Sequence, residues 1–230
     1  MHNRQTSWPN EMRTAMETTA TLTRDTTITV TQQVLASMNS LLAFADNPKD
    51  TATPVLTGLR VTRSGDDQIL VIATNRYVAV KATYSVMEFS SWSDAEFWID
   101  PAMLKQAALM SKTANMAAVS FGYDTDGEDS FVGINDTRFT YRQFTAQFPP
   151  VERLFDDKGE PNGTPTVRLN VKWLALLSKV VVPEIRPSKD VPWTFSFFSE
   201  DSRKPMPVLA TMTGSDYSIN VLIQPNIVVR

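Results

Sequence analysis

The chain contains no cysteine and a single histidine, His2. The first absence excludes disulfides and thiolate metal sites. The second argues against histidine acid–base chemistry and histidine-ligated metals, because the one imidazole sits in a tail that reads as unstructured. Glycine is scarce, 8 of 230 residues, and none falls in a GxGxxG or GxxxxGK spacing that would cradle a phosphate. No apolar run approaches the roughly 20 residues that span a bilayer. Met1 to Arg24 is polar and Thr-rich and lacks the apolar segment of a signal peptide. Positive charge is not in excess either: 22 Lys and Arg stand against 25 Asp and Glu, a formal charge of −3. That argues against coating nucleic acid through bulk charge, while leaving room for a local basic stripe. The expectation is a cytoplasmic chain with no membrane contact, no cofactor and no metal. No convergent catalytic set is visible, so the chain is read as a non-enzyme.

What is present is a pattern repeated three times. Each copy begins with a short β-branched run and turns into an amphipathic stretch. The pairs are Ile28–Thr31 with Gln32–Phe44, Phe97–Asp100 with Pro101–Lys112, and Val167–Asn170 with Val171–Val181. At each junction stands a residue that caps helices: Thr31, Asp100 and Asn170, placed 69 and then 70 residues apart. Their side-chain oxygens accept a free backbone N–H of the first turn, worth about 1 kcal/mol over Ala. An apolar residue precedes each cap (Val30, Ile99, Leu169), and a Leu follows it five positions on (Leu35, Leu104, Leu174). That is the spacing of a hydrophobic staple, which fixes the angle at which a strand enters a helix. Pro101 occupies a first helical position, where its missing N–H costs nothing.

Three strand-like runs follow each helix. They are Leu56–Arg63, Gln68–Ala73 and Tyr77–Ser85; Ala117–Tyr123, Ser130–Ile134 and Arg138–Thr145; and Trp193–Ser199, Pro207–Met212 and Ser218–Ile223. Each copy therefore reads as strand, helix and three strands, and the predicted class is α+β with helices on one face of antiparallel sheets. The acidic run Asp124–Asp129 lacks the twelve-residue ligand spacing of a calcium loop and is expected to be a hairpin turn. The Gly- and Pro-rich stretch 156–165 separates two copies from the third. The expected organisation is a disordered tail over 1–25, a two-copy domain over 26–155, a linker over 156–165 and a lone half-module over 166–230.

Several segments resemble the bacterial sliding clamp, the beta subunit of DNA polymerase III. Pro54-Val55-Leu56-Thr57-Gly58-Leu59 followed by Leu70-Val71-Ile72-Ala73-Thr74-Asn75-Arg76-Tyr77-Val78-Ala79-Val80 is similar to that family's middle domain. Phe148-Pro149-Pro150-Val151-Glu152-Arg153-Leu154-Phe155 resembles the segment that closes it, and Asn220–Ile227 resembles the terminal strand. Departures are Asn75 where the family has Asp, Val78 where it prefers Arg, and Gln224-Pro225-Asn226 where it has Met-Pro. The resemblance covers the middle domain and the second half of the last, three half-modules where the family has six per chain.

The resemblance implies a processivity or tethering factor that binds Gln-Leu-x-Leu-Phe-like peptides of polymerase, clamp-loader or repair proteins. Carried over, the peptide site comprises Leu56, Thr74, Arg76, Tyr77, Val78, Ala79, Pro149, Arg153 and Leu154. Its far wall is Asn170, Trp173, Pro207, Leu222, Gln224, Pro225 and Asn226. Non-specific contact with double-stranded DNA is expected from Lys105, Lys112, Lys172 and Lys179, each pair seven residues apart and so on one helix face. In the family twelve half-modules close a ring. Three per chain imply an even-numbered homo-oligomer, a four-chain ring first, with the third helix leaving Leu174, Leu177 and Val181 partly uncovered. Trp8, Met12 and Met16 of the tail are the alternative cover. The alternative function is a peptide-binding decoy that sequesters clamp partners without encircling DNA.

Overall fold

A computed structural model describes residues 26–49, 52–90, 96–114, 118–123, 129–134, 137–142, 146–156, 169–183, 192–198 and 206–225. The expectations for 1–25, for the acidic run Asp124–Glu128, for most of the linker and for the strand 167–170 up to Arg168 lie outside these residues.

All three caps form. Thr31 Oγ1 accepts from Val34 N at 3.2 Å, Asp100 Oδ1 from Ala102 N, and Asn170 Oδ1 from Lys172 N at 2.9 Å. They open α1 (Gln32–Leu41), α2 (Pro101–Ala114) and α4 (Val171–Leu177). The staple residues Val30, Leu35, Ile99 and Leu104 are buried, and Leu169 and Leu174 pack against the same core. The first helix ends sooner than its periodicity suggests and finishes in a 3-10 turn, Leu42–Phe44. The third helix stops at Leu177, not Val181, because Val180, Val181 and Val182 disfavour helix and Pro183 cannot continue one.

The strands form two antiparallel sheets. One has the order β5-β1-β7-β8-β9, comprising Glu88–Ser90, Thr26–Thr31, Ala118–Tyr123, Asp129–Ile134 and Thr137–Arg142. The other has the order β10-β11-β12-β4-β3-β2-β6. Its strands are Thr194–Ser196, Val208–Thr213, Tyr217–Ile223, Val78–Ser85, Gln68–Thr74, Leu59–Arg63 and Phe97–Ile99. Where its elements are described, the repeat reads in the expected order, with three differences. The strand that starts each of the first two copies joins the other copy's sheet: β1 pairs with β7, and β6 pairs with β2. Strand β5 was not anticipated; it pairs with β1. Leu56 lies in a 3-10 turn, Pro54–Thr57, ahead of its strand.

Side chains alternate across each sheet. On β4, Val78, Val80, Ala82 and Tyr84 face the helices, and so do Ile69, Val71 and Ala73 of β3 and Tyr217, Ile219, Val221 and Ile223 of β12. Leu176 and Leu177 of α4 belong to the same core as residues of α1 and α2. The expected exposure of Leu177 is therefore corrected: it is buried, and Leu174 packs against the core, while Val181 stays exposed. A smaller cluster on the outer face of the seven-stranded sheet joins Val55, Leu56, Ile72, Trp98 and Phe148. Among the described residues no helix is long and apolar enough to cross a membrane.

Candidate functional site

The third copy is continuous with the first. Strand β12 runs antiparallel to β4 from Tyr217↔Tyr84 to Ile223↔Val78. This register brings the end of β12 beside the turn between β3 and β4, and Gln224 N donates to Tyr77 O at 3.2 Å. The turn is shaped by Asn75, whose Oδ1 accepts from Tyr77 N and Val78 N at 3.2 and 3.1 Å, an Asx arrangement. Arg76 takes a left-handed backbone, φ 73°. Thr74 Oγ1 donates to Val78 O at 2.9 Å and accepts from Arg76 N. Arg76 also pairs with Asp46 at 3.3 Å and hydrogen-bonds Thr53.

The turn projects Tyr77 outward, 62% exposed. Its ring stacks on Trp173 of α4, centroids 5.8 Å apart and planes 14° apart. Lys172 lies over the Trp173 ring at 4.7 Å. Val171, at the start of α4, is 75% exposed. An aromatic pair thus bridges two copies of the repeat, next to the exposed Gln224 and the buried Pro225.

On the outer face, a row crosses four strands: Thr74, Ala79, Leu222 and Leu209. Alternation puts Thr74, Ala79 and Leu222 on the face opposite the helices, whereas Val78 points into the helix-side core. Segment 146–156 runs beside this row. Phe148 and Val151 anchor it to the smaller cluster. Glu152 pairs with Arg60 at 3.0 Å, and Arg60 pairs also with Glu96 at 3.0 Å. Burial opposes the charge on Arg60, but hydrogen bonds and attraction from Glu152 and Glu96 outweigh it and hold the guanidinium pKa above its ordinary value. The short α3 (Arg153–Asp156) is tied to the sheet by Lys81, which pairs with Asp156 at 3.0 Å and lies over the Phe155 ring. Leu154 and Arg153 remain exposed.

The residues singled out from sequence fall into distinguishable places. Thr74, Ala79 and Leu222 share one row. Tyr77, Trp173 and Gln224 gather at the turn, where Asn170 caps α4 beside Trp173. Arg76 lies in that turn but is engaged by Asp46 and Thr53. Pro149, Arg153 and Leu154 lie on the bordering segment, and Pro207 immediately precedes β11. Leu56 and Val78 are buried in separate clusters, and Asn226 lies outside the described residues. Sequence reasoning missed Lys81, Phe155 and Asp156, whose contact joins positions 75 residues apart. Lys105 and Lys112 are exposed on α2, but Lys179 lies in the turn after α4 and shares no helix face with Lys172.

Half-modules joined by a continuous sheet, with helices on its inner side, define the sliding-clamp fold. The chain is similar to the DNA polymerase III beta subunit of Thermotoga maritima, with 13% identity, 89% of this chain and 65% of that one covered, and a TM-score of 0.58. The DNA polymerase sliding clamp of Pseudomonas aeruginosa matches with 13% identity over 87% of this chain and 66% of that one, TM-score 0.61. For the beta subunit of Borrelia burgdorferi, determined in complex with a natural product, the values are 12%, 95%, 69% and 0.55. The chain spans about two thirds of the length of these structures. No protein-family model matches it, and no curated protein matches it by sequence.

Proposed function

We propose that this chain is a non-catalytic, clamp-type tether for DNA polymerase or other replication proteins. It takes short partner segments at the seam between β4 and β12. The observation that carries this reading is the Tyr77–Trp173 stack, which places an exposed aromatic platform where two half-modules meet. Flat aromatics are rigid anchors for a partner's Leu and Phe. The row from Thr74 to Leu222 is buried and supports the seam from within, and the exposed Arg153 and Leu154 on the bordering segment are the further side chains open to the rest of the partner segment. Double-stranded DNA contact through the exposed lysines and assembly into an even-numbered ring belong to the same reading. The third half-module supports assembly: its outermost strand, β10, is a sheet edge among the described residues, and Phe195 on it is 40% exposed.

A labelled Gln-Leu-x-Leu-Phe-type peptide is expected to bind at about micromolar strength, near −8 kcal/mol. Trp173→Ala and Tyr77→Ala should each weaken binding at least tenfold while the fold persists. Leu222→Asp is unsuited to this test, because Leu222 is 4% exposed and a buried carboxylate would disturb the sheet itself. Absence of binding at millimolar peptide would sink the docking reading. Peptide binding by a chain that sediments as a monomer would favour the sequestering decoy.

A further inference from the structure

We propose that β9 is a second self-association surface, pairing antiparallel with β9 of another copy. This rests on the self-association proposed above but locates a contact distinct from β10. The third strand after the helix in the first copy, β4, pairs with the third strand of the last copy, β12, over seven residues. That contact buries Tyr84 and Tyr217, which face each other on the helix side. Strand β9 is the third strand of the middle copy, and it is an edge among the described residues. It presents the same kind of side chain on the same side. Phe139 lies opposite the core residue Val132, Tyr141 packs against that core, and Phe139 is 40% exposed. Thr137, Phe139, Thr140 and Tyr141 are strand-forming residues, and β9 contains no proline.

Symmetry and charge select the register. A two-fold axis that keeps both helix layers on one side of a joined sheet must pass through the pairing of a residue with its own copy. Centring on Tyr141 overlaps only three residues of the strand, 140–142, where centring on Phe139 overlaps five. Centring on Arg138 sets that arginine against itself. Centring on Thr140 sets Arg138 against Arg142. Centring on Phe139 sets Arg138 against Thr140 and Thr137 against Tyr141, and brings the two Phe139 rings together. Arg138 is already drawn over the Phe131 ring, 3.5 Å from its centroid, away from the joint.

The absence of native cysteine makes the test clean. Residues directly opposite in an antiparallel pair have Cα atoms about 4.5–5.5 Å apart, within the range of about 4.4–6.8 Å that a disulfide spans. Full-length Phe139→Cys, oxidised at micromolar concentration, is expected to become mostly a covalent dimer. Lys105→Cys, exposed on α2, should not. Sedimentation of Phe139→Glu should show half the wild-type mass, with an unchanged circular dichroism spectrum and unchanged peptide binding. A wild-type monomer would overturn this contact together with the assembly reading. A wild-type oligomer in which Phe139→Cys crosslinks no more than Lys105→Cys, or which Phe139→Glu leaves intact, would overturn this contact alone.

Discussion

Gly58 sits between the 3-10 turn and β2, pressed against Trp98 and Ile99 of β6. A Cβ built there would lie 2.5 Å from the Ile99 carbonyl oxygen and 2.7 Å from the Trp98 ring. Trp98 cannot easily withdraw, because its Nε1 donates to Val55 O at 3.0 Å and its ring is buried beside Leu56 and Phe148. Gly58→Ala should therefore push β6 away from β2 and cost about 1–3 kcal/mol, the usual range for overpacking. Urea denaturation should show a lower midpoint with an unchanged slope; an unmoved midpoint would mean that Trp98 yields without cost. The sequence marks Gly58 as part of a motif but hides the reason for it, since the crowding atoms come from forty residues further on. The same holds for Tyr77 and Trp173. Each is visible as an aromatic near a turn or a helix start, but only the fold places them 5.8 Å apart. Capping residues are the opposite case: their chemistry is local, so Thr31, Asp100 and Asn170 could be read directly.

The three capped helices differ in how much they depend on their caps. Helix α1 buries five residues, Val34, Leu35, Ser37, Met38 and Leu41, and is built into the core. Thr31→Ala should lower global stability by about 1 kcal/mol and leave the helix formed. Helix α4 has seven residues and buries two, and an isolated helix needs about 12–15 to persist in water. Asn170→Ala should act locally, speeding amide exchange at Lys172 and Trp173 and weakening peptide binding through a loosened stack. Equal exchange in both proteins would show that packing alone holds the helix start. At this scale periodicity located the helices and nearly every strand. It could not locate β5, a three-residue strand with no pattern of its own, nor foresee that β1 and β6 cross into each other's sheets. Pairing partners are decided by which face must be covered, and a linear pattern does not carry that.

For the whole molecule, similarity of segments pointed to the clamp fold. The resemblance put Thr74–Ala79 and Leu222–Pro225 at one site, but the strand-to-strand register of β4 with β12 was not legible, because it depends on pairing between segments 133 to 145 residues apart. DNA contact is a property at this scale, since it needs several lysines presented together. Replacing Lys105, Lys112, Lys172 and Lys179 with Ser should reduce DNA retention and flatten its dependence on salt, by a log–log slope of about 0.9 per lost phosphate contact. Retention that falls with salt as steeply as in the wild type would assign these lysines to solvent alone.

The pairing of β4 with β12 also sets a timetable. Its opposed residues are 133 to 145 positions apart in sequence. At a synthesis rate of about 5–20 residues per second, β4 waits roughly 7–30 s for its neighbour to be made. Throughout that interval it is an open edge beside a nearly finished apolar sheet, a template for mispairing with nascent chains on neighbouring ribosomes. Lys81 is the single charged residue on β4, placed at its middle. A charge at that position should disfavour pairing with a foreign strand, first alone and then held by Asp156, which is made before β12.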